Sequence, residues 1–249
     1  MRVYCVICWL IMFGLCALPV QDLAAKEADI TRYYQAVAVL QSINKGAALE
    51  SEEIPRGIYR LDETESLIHH ADEQFVYQVV ADELVQLQSV SPKVKLFEAH
   101  ARLALGQKET ATKLLMDYVA ESEVADDRHY GMIVENLSDL KDWTSLYIIC
   151  LEWEEKKDIC MENRALFEWE ALTKLGRHEA ALRSLARSED CLGWKFPVYE
   201  AMSLYKQGKK QYAQTALRNA QKKYPDQAGQ ITNLWYKVAP SEGQSLLGE

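Results

Sequence analysis

The chain has 249 residues, of which 49% are hydrophobic and 26% are charged, the usage of an ordinary globular protein. Glycine (11) and proline (6) are scarce, and an all-β protein would need more turn residues, so the composition favours helices. The formal net charge of −9 offers no basic footprint for nucleic acid and argues against a nucleic-acid-binding protein.

The N-terminus has the pattern of a secretory signal. Arg2 precedes an uncharged apolar run over residues 3–20, and small residues then end at Ala25. We predict a signal peptide over residues 1–25 that is cleaved after Ala25. The alternative is an uncleaved anchor, since about 18 apolar residues just span a bilayer. In both cases the chain from Lys26 onward is expected outside the cytoplasm, either free in the periplasm or anchored to the inner membrane.

Apolar spacing predicts divergent helical hairpins over residues 26–91. A first helix is expected at 29–43 and a connection at 46–54. A helix around 63–70 is then expected to pair with a helix whose inward face holds six apolar residues: Phe75, Val76, Val79, Val80, Leu84 and Leu87.

Four helix–turn–helix units with a common spacing are predicted over residues 92–225. Their turns are centred on Gly106, Lys141, Gly176 and Gly208, with a period near 34 residues. Apolar residues recur at three- and four-residue spacing on both sides of each turn, which is typical of two antiparallel helices.

The C-terminal end is predicted to close the array of helices. Pro225 ends the last unit, and a capping helix is expected over residues 226–238, because the last unit of a helical array must cover its apolar edge. The Pro, Ser and Gly of residues 239–249 predict a disordered tail.

The last unit resembles a known family in its pattern of small and large residues. The small residues are Ala201, Gly208, Ala213 and Ala220, and the large apolar ones are Leu204 and Leu217. The pattern resembles the tetratricopeptide repeat (TPR) family, in which small residues occupy the tight crossings of paired helices, although the Trp-x-x-Leu-Gly opening of the consensus is absent. The resemblance implies an all-α fold, a right-handed α-solenoid of antiparallel helix hairpins, and a protein-binding function.

The resemblance also implies a partner-binding groove, because the first helix of each TPR pair lines the concave surface. The family's groove positions, transferred to this sequence, give ten predicted groove residues: Lys93, Leu96, His100, Leu166, Glu170, Lys174, Val198, Met202, Tyr205 and Lys206. Such a mixed surface, with apolar centres and lysines at its C-terminal end, suits a peptide or helix from a partner protein.

Three cysteines follow the predicted signal: Cys150, Cys160 and Cys191. An exported chain meets an oxidising compartment, where disulfides form. Cys160 lies just before the first helix of the Gly176 hairpin and Cys191 just after the second, and antiparallel helices bring those two ends together. We therefore predict a Cys160–Cys191 disulfide, with Cys150 reduced on a buried helix face.

The sequence offers no motif that carries enzyme chemistry. His69 and His70 are adjacent on a predicted helix, so their side chains point about 100° apart and do not readily share a metal ion. The carboxylate runs at 50–53 and 152–155 are explained by solvated surface. With no Ser-His-Asp spacing, no phosphate loop and no Cys-x-x-Cys beyond the signal, we expect no enzyme activity, no metal and no cofactor.

These features together predict a non-catalytic protein-binding scaffold or adaptor of the cell envelope. Two alternatives remain: a structural subunit that assembles with itself, and a helical accessory domain of a cell-wall enzyme complex. The expected partner is a protein or peptide of the envelope. No nucleic acid is expected, and a membrane is expected to be contacted only through the signal segment if it stays uncleaved.

Overall fold

The computed structural model describes residues 25–41, 73–156 and 161–238 of the chain. All regular structure in these ranges is helical, without a strand, which confirms the all-α fold class for this part of the chain. Several predicted segments lie outside the described residues: residues 1–24 of the signal, the connection at 46–54, the helix at 63–70, the disulfide partner Cys160 and the tail at 239–249.

Two compact units make up the chain, residues 1–125 and residues 126–249, a division that the sequence did not predict. The described helices of the first unit are α1 (25–41), α2 (Glu73–Gln86), α3 (Lys93–Ala104) and α4 (Lys108–Glu121). Helices that follow one another in sequence pack side by side, α2 against α3 and α3 against α4.

The second unit continues the pairing of neighbouring helices. Its helices are α5 (Asp127–Leu140), α6 (Trp143–Lys156), α7 (Glu162–Lys174), α8 (His178–Arg187), the short α9 (Glu189–Leu192), α10 (Phe196–Lys206), α11 (Lys210–Lys223) and α12 (Ala228–Val238), with 3₁₀ turns at Gly193–Lys195 and Pro225–Gln227. The last helix lies where the capping helix was expected.

The four turns that the sequence pattern predicted share one backbone geometry. The backbone is left-handed at all four, with φ of 73° at Gly106, 59° at Lys141, 72° at Gly176 and 76° at Gly208. In each turn the amide of the following residue donates to a carbonyl five residues earlier, with these pairs: Gln107 to Arg102, Asp142 to Leu137, Arg177 to Leu172, and Lys209 to Leu204. This helix ending favours glycine, because a left-handed backbone crowds a Cβ atom.

The core of the first unit forms where α2 meets its neighbours. Four apolar residues in and just after α2 are buried in a cluster with residues of α1 and α3: Val76, Val80, Leu84 and Leu87. The inward orientation expected for Phe75 and Val79 is wrong, since these residues are 63% and 51% exposed. Each lies one residue before a buried position, about 100° around the helix, and therefore on a different face.

The core of the second unit includes residues from α7 to α12. Small residues, among them Ala181 and Ala213, are fully buried in it and allow close approach of the helices. Ile231 and Trp235 of α12 belong to the same cluster, so the last helix covers the apolar edge of the hairpin before it. Among the described residues, no helix is both long enough and apolar enough to span a membrane.

Candidate functional site

The ten predicted groove residues divide between the two units and between core and surface. Leu96, Val198 and Met202 have exposed fractions of 0%, 0% and 2%. The groove role predicted for these three is therefore wrong, because side chains with almost no exposed surface cannot contact a partner. Val198 and Met202 belong instead to the core cluster that contains Trp169 and Trp235.

The other seven predicted residues reach the surface. In the first unit, Lys93 and His100 are partly exposed on α3. In the second unit, five residues lie on α7 and α10, the first helices of two successive hairpins: Leu166, Glu170 and Tyr205 are partly exposed, and Lys174 and Lys206 are exposed.

A cavity of about 330 Å³ lies between α7 and α10. Its walls are Asn163, Leu166, Phe167, Trp169, Glu170 and Tyr199. These six residues, together with Lys174 and Lys206, are called the α7–α10 surface below. The groove positions of the family did not include Phe167 or Tyr199, which reach the cavity because of the way that α7 and α10 lie against each other.

Trp169 is the most constrained side chain of the α7–α10 surface. Its indole Nε1 donates a hydrogen bond of 2.7 Å to the hydroxyl of Ser203, which itself donates to the carbonyl of Tyr199 at 3.0 Å. The rings of Trp169 and Tyr199 meet edge to face, with centroids 4.7 Å apart. These contacts hold one wall of the cavity in a defined orientation.

Two lysines lie over aromatic rings at equivalent places in successive hairpins. The Nζ of Lys174 is 5.3 Å from the ring centroid of Trp143, and the Nζ of Lys206 is 5.4 Å from that of Trp169. Each lysine ends the first helix of its hairpin, two residues before the turn glycine. An ammonium group at this distance from an aromatic face is attracted by the electrons of the ring.

The two ammonium groups also influence each other. Partial burial lowers the pKa of Lys206, the positive charge of Lys174 lowers it further, and Glu170 acts in the opposite direction. The carboxylate of Glu170 accepts a long hydrogen bond, 3.5 Å, from the hydroxyl of Ser138. Burial raises the pKa of Tyr199, with nearby carboxylates adding to the effect.

Tyr205 lies at the edge of this region. Its ring packs edge to face against Trp235 of α12, with centroids 5.3 Å apart, and the Nζ of Lys210 is 5.5 Å from its centroid. Tyr205 therefore joins α10 to the last helix and leaves only part of its side chain accessible.

A buried ion network occupies the opposite face of α7. Arg164 and Glu168 have exposed fractions of 3% and 1%, and Nη1 of the arginine donates to the carboxylate at 3.3 Å. Glu154 of α6 and Arg187 of α8 complete the network, at 3.2 Å from Arg164 and 2.9 Å from Glu168 respectively. The network connects three helices and pairs both of the buried charges, which indicates a structural role.

The cysteines and the potential metal ligands are the remaining groups that could carry chemistry. Cys191 is disulfide-bonded, and Cys150 is a free, buried cysteine whose pKa is raised to about 12 by burial. The pairing of Cys191 with Cys160 stays a prediction, since Cys160 lies outside the described residues. Within the described ranges, no group of three or more His, Cys, Asp and Glu side chains could hold a metal ion.

Comparisons with known proteins identify no relative: no family model, no curated protein and no solved structure matches the chain.

Proposed function

We propose that the chain is a non-catalytic protein-binding scaffold of the cell envelope, a TPR-like right-handed α-solenoid, and that it binds a peptide or helix of a partner protein on the α7–α10 surface. The observation that carries this proposal is the cavity between α7 and α10, whose walls combine Leu166, Phe167, Trp169 and Tyr199. Aromatic side chains in a depression, with charged groups around them, are the usual anchors of protein–protein interfaces.

The rigidity of the cavity supports the same proposal. Trp169 is held by its hydrogen bond to Ser203 and by its contact with Tyr199. A partner that binds an already ordered wall loses less conformational entropy on binding, which favours affinity.

Two observations support a place in the cell envelope. Arg2 and the apolar run over residues 3–20 have the pattern of a secretory signal. A disulfide at Cys191 suits an oxidising compartment such as the periplasm.

Site-specific photo-cross-linking in intact cells tests the proposed site. A photo-reactive amino acid at position 167 lies in the cavity wall, and we expect it to cross-link the partner. The matched control is position 148 of α6, where Ile148 is 55% exposed and lies outside the α7–α10 surface. A partner that cross-links from position 148 and not from position 167 would contradict the proposal.

A substitution pair tests the same site by loss of binding. Phe167→Glu places a charge in the apolar cavity wall, so we expect it to abolish capture of the cross-linked partner. Ile148→Glu is expected to leave capture unchanged. Both variants should retain the helicity of the unchanged chain by circular dichroism, which separates a loss of binding from a loss of fold.

A further inference from the structure

We propose that the α7–α10 surface selects an acidic segment of its partner, with a side-chain carboxylate of that segment between Lys174 and Lys206 and a neighbouring apolar side chain in the cavity. This inference rests on the proposed function, because it specifies the chemistry of the partner that the same surface takes.

The first argument is the arrangement of the two lysines. In the part of the chain that the structure describes, their ammonium groups contact the rings of Trp143 and Trp169, and neither lysine forms an ion pair. Partial burial is the main cause of the lowered pKa of Lys206, and the charge of Lys174 lowers it further, so the two like charges repel each other in the free protein. A carboxylate placed between them would relieve this repulsion.

The second argument is the balance of charge around the lysine pair. Glu170 is the nearby carboxylate that favours the charged form of Lys206, and its one negative charge leaves the three groups with a net positive charge. At the other end of α7, Glu162 already forms an ion pair with Lys195. This local excess of positive charge is complementary to an acidic segment, although the chain as a whole carries a net charge of −9.

The third argument is the position of the apolar cavity. Leu166 and Tyr199 lie toward the N-terminal halves of α7 and α10, while Lys174 and Lys206 end the same two helices. A segment lying along these helices would therefore place an apolar side chain in the cavity and its acidic side chain at the lysine end.

We assign the carboxylate to a side chain rather than to a chain terminus, and a peptide with an amidated C-terminus tests this assignment.

A random peptide selection provides the test without a known partner. The full-length chain is used to select from a phage-displayed library of random 12-residue peptides. We expect the enriched sequences to combine an aromatic or aliphatic residue with an aspartate or glutamate within about one helical turn. The best peptide is then synthesised with an amidated C-terminus, so that its side chains carry all of its carboxylates, and its Kd is measured by fluorescence anisotropy.

Two substitutions that are expected to change the Kd in opposite directions make the test specific. Lys206→Gln removes an attraction and should raise the Kd about fivefold, the scale of one partly exposed ion pair. Glu170→Gln removes a repulsion and should lower the Kd, while Lys222→Gln on the exposed face of α11 should leave it unchanged. Exchanging the peptide's acidic residues for their amides should abolish the effect of Lys206→Gln.

The outcomes separate this inference from the proposed function. Enriched peptides that lack acidic residues, or that bind equally well to the Lys206→Gln variant, would show that the surface does not select acidic segments. The proposal that the surface binds a peptide would then remain. Loss of binding when the peptide terminus is amidated would assign the carboxylate to a chain terminus. That result would also overturn the inference that a side-chain carboxylate is bound. If no peptide is enriched, or if Phe167→Glu leaves the Kd unchanged, the proposed function fails as well.

Discussion

The residues at the left-handed turns show how single positions determine where helices end. A Cβ atom added at Gly106, Gly176 or Gly208 would meet no atom within 4 Å. The preference for glycine at these turns is therefore conformational and owes nothing to close packing. Lys141 has the same left-handed backbone with a side chain attached, which is the less favourable version of the same turn.

A pair of glycine substitutions in the second unit tests this interpretation. Gly208→Ala should lower the free energy of unfolding by about 1 kcal/mol, because alanine is strained at a φ of 76°. Gly131→Ala should raise it by about 0.5–1 kcal/mol, because Gly131 lies inside α5 with space for a Cβ and alanine is the better helix former. Urea unfolding measures both, and a loss of stability at Gly131 comparable with that at Gly208 would contradict the conformational explanation.

At the scale of the element, α7 presents two faces with different roles. Leu166 and Glu170 face the cavity, whereas Arg164 and Glu168 lie about half a turn away in the buried ion network. One face of the helix thus lines the cavity, while the other pairs with charged side chains of α6 and α8.

The buried face of α7 is predicted to be the more sensitive to substitution. Arg164→Met removes one charge of the network and leaves Glu168 buried with Arg187 alone, so we expect a loss of about 3 kcal/mol in the free energy of unfolding. The control is Glu152→Gln, which breaks a partly exposed ion pair with Lys156 and should cost less than about 1 kcal/mol. Equal losses in the two variants, measured by urea unfolding, would mean that the network does not stabilise the fold.

At the scale of the whole molecule, the state of the cysteines connects the fold to the cell compartment. Cys191 is disulfide-bonded, whereas Cys150 is enclosed among the helices. The thiolate is the form that reacts, and burial holds the pKa of Cys150 at about 12, so the thiol is protected at neutral pH.

Peptide mapping under non-reducing conditions tests this arrangement in material from the envelope. We expect a Cys160–Cys191 bridge and a Cys150 thiol that iodoacetamide modifies only after denaturation. Modification of Cys150 in the native chain at a pH of about 8, still well below its raised pKa, would show that its burial is incomplete. A bridge that uses Cys150 would contradict the predicted pairing, and three free thiols would argue against export.

The sequence predicted local features of the fold better than it predicted the candidate site. The turn at Lys141 was found from the period alone, because repeat spacing and apolar periodicity are properties of neighbouring residues. The sequence placed Val198 and Met202 in a groove because the position of a residue in a helix determines the side of the helix on which its side chain lies. That position does not show which other helix packs against this side. Here both side chains are buried in the core cluster that includes Ile231 and Trp235.

Contacts between distant positions account for most of what sequence reasoning missed. The hydrogen bond from Trp169 to Ser203 joins residues 34 positions apart, which is one repeat. Neither residue alone signals the bond, since tryptophan on an apolar helix face is expected in any core. The cavity follows from the orientation of that ring and from the approach of Tyr199, both of which depend on how the two hairpins pack.

The ion network of α7 also limits how the helices can slide. Small side chains such as those of Ala165 and Ala181 present little steric obstacle to a shift of one helix along its axis by a turn, about 5.4 Å. Such a shift would separate Arg164 from Glu154 and Glu168 from Arg187, leaving two buried charges without their partners on the neighbouring helices. The four charges therefore favour one register of the three helices over packings that are shifted by a turn.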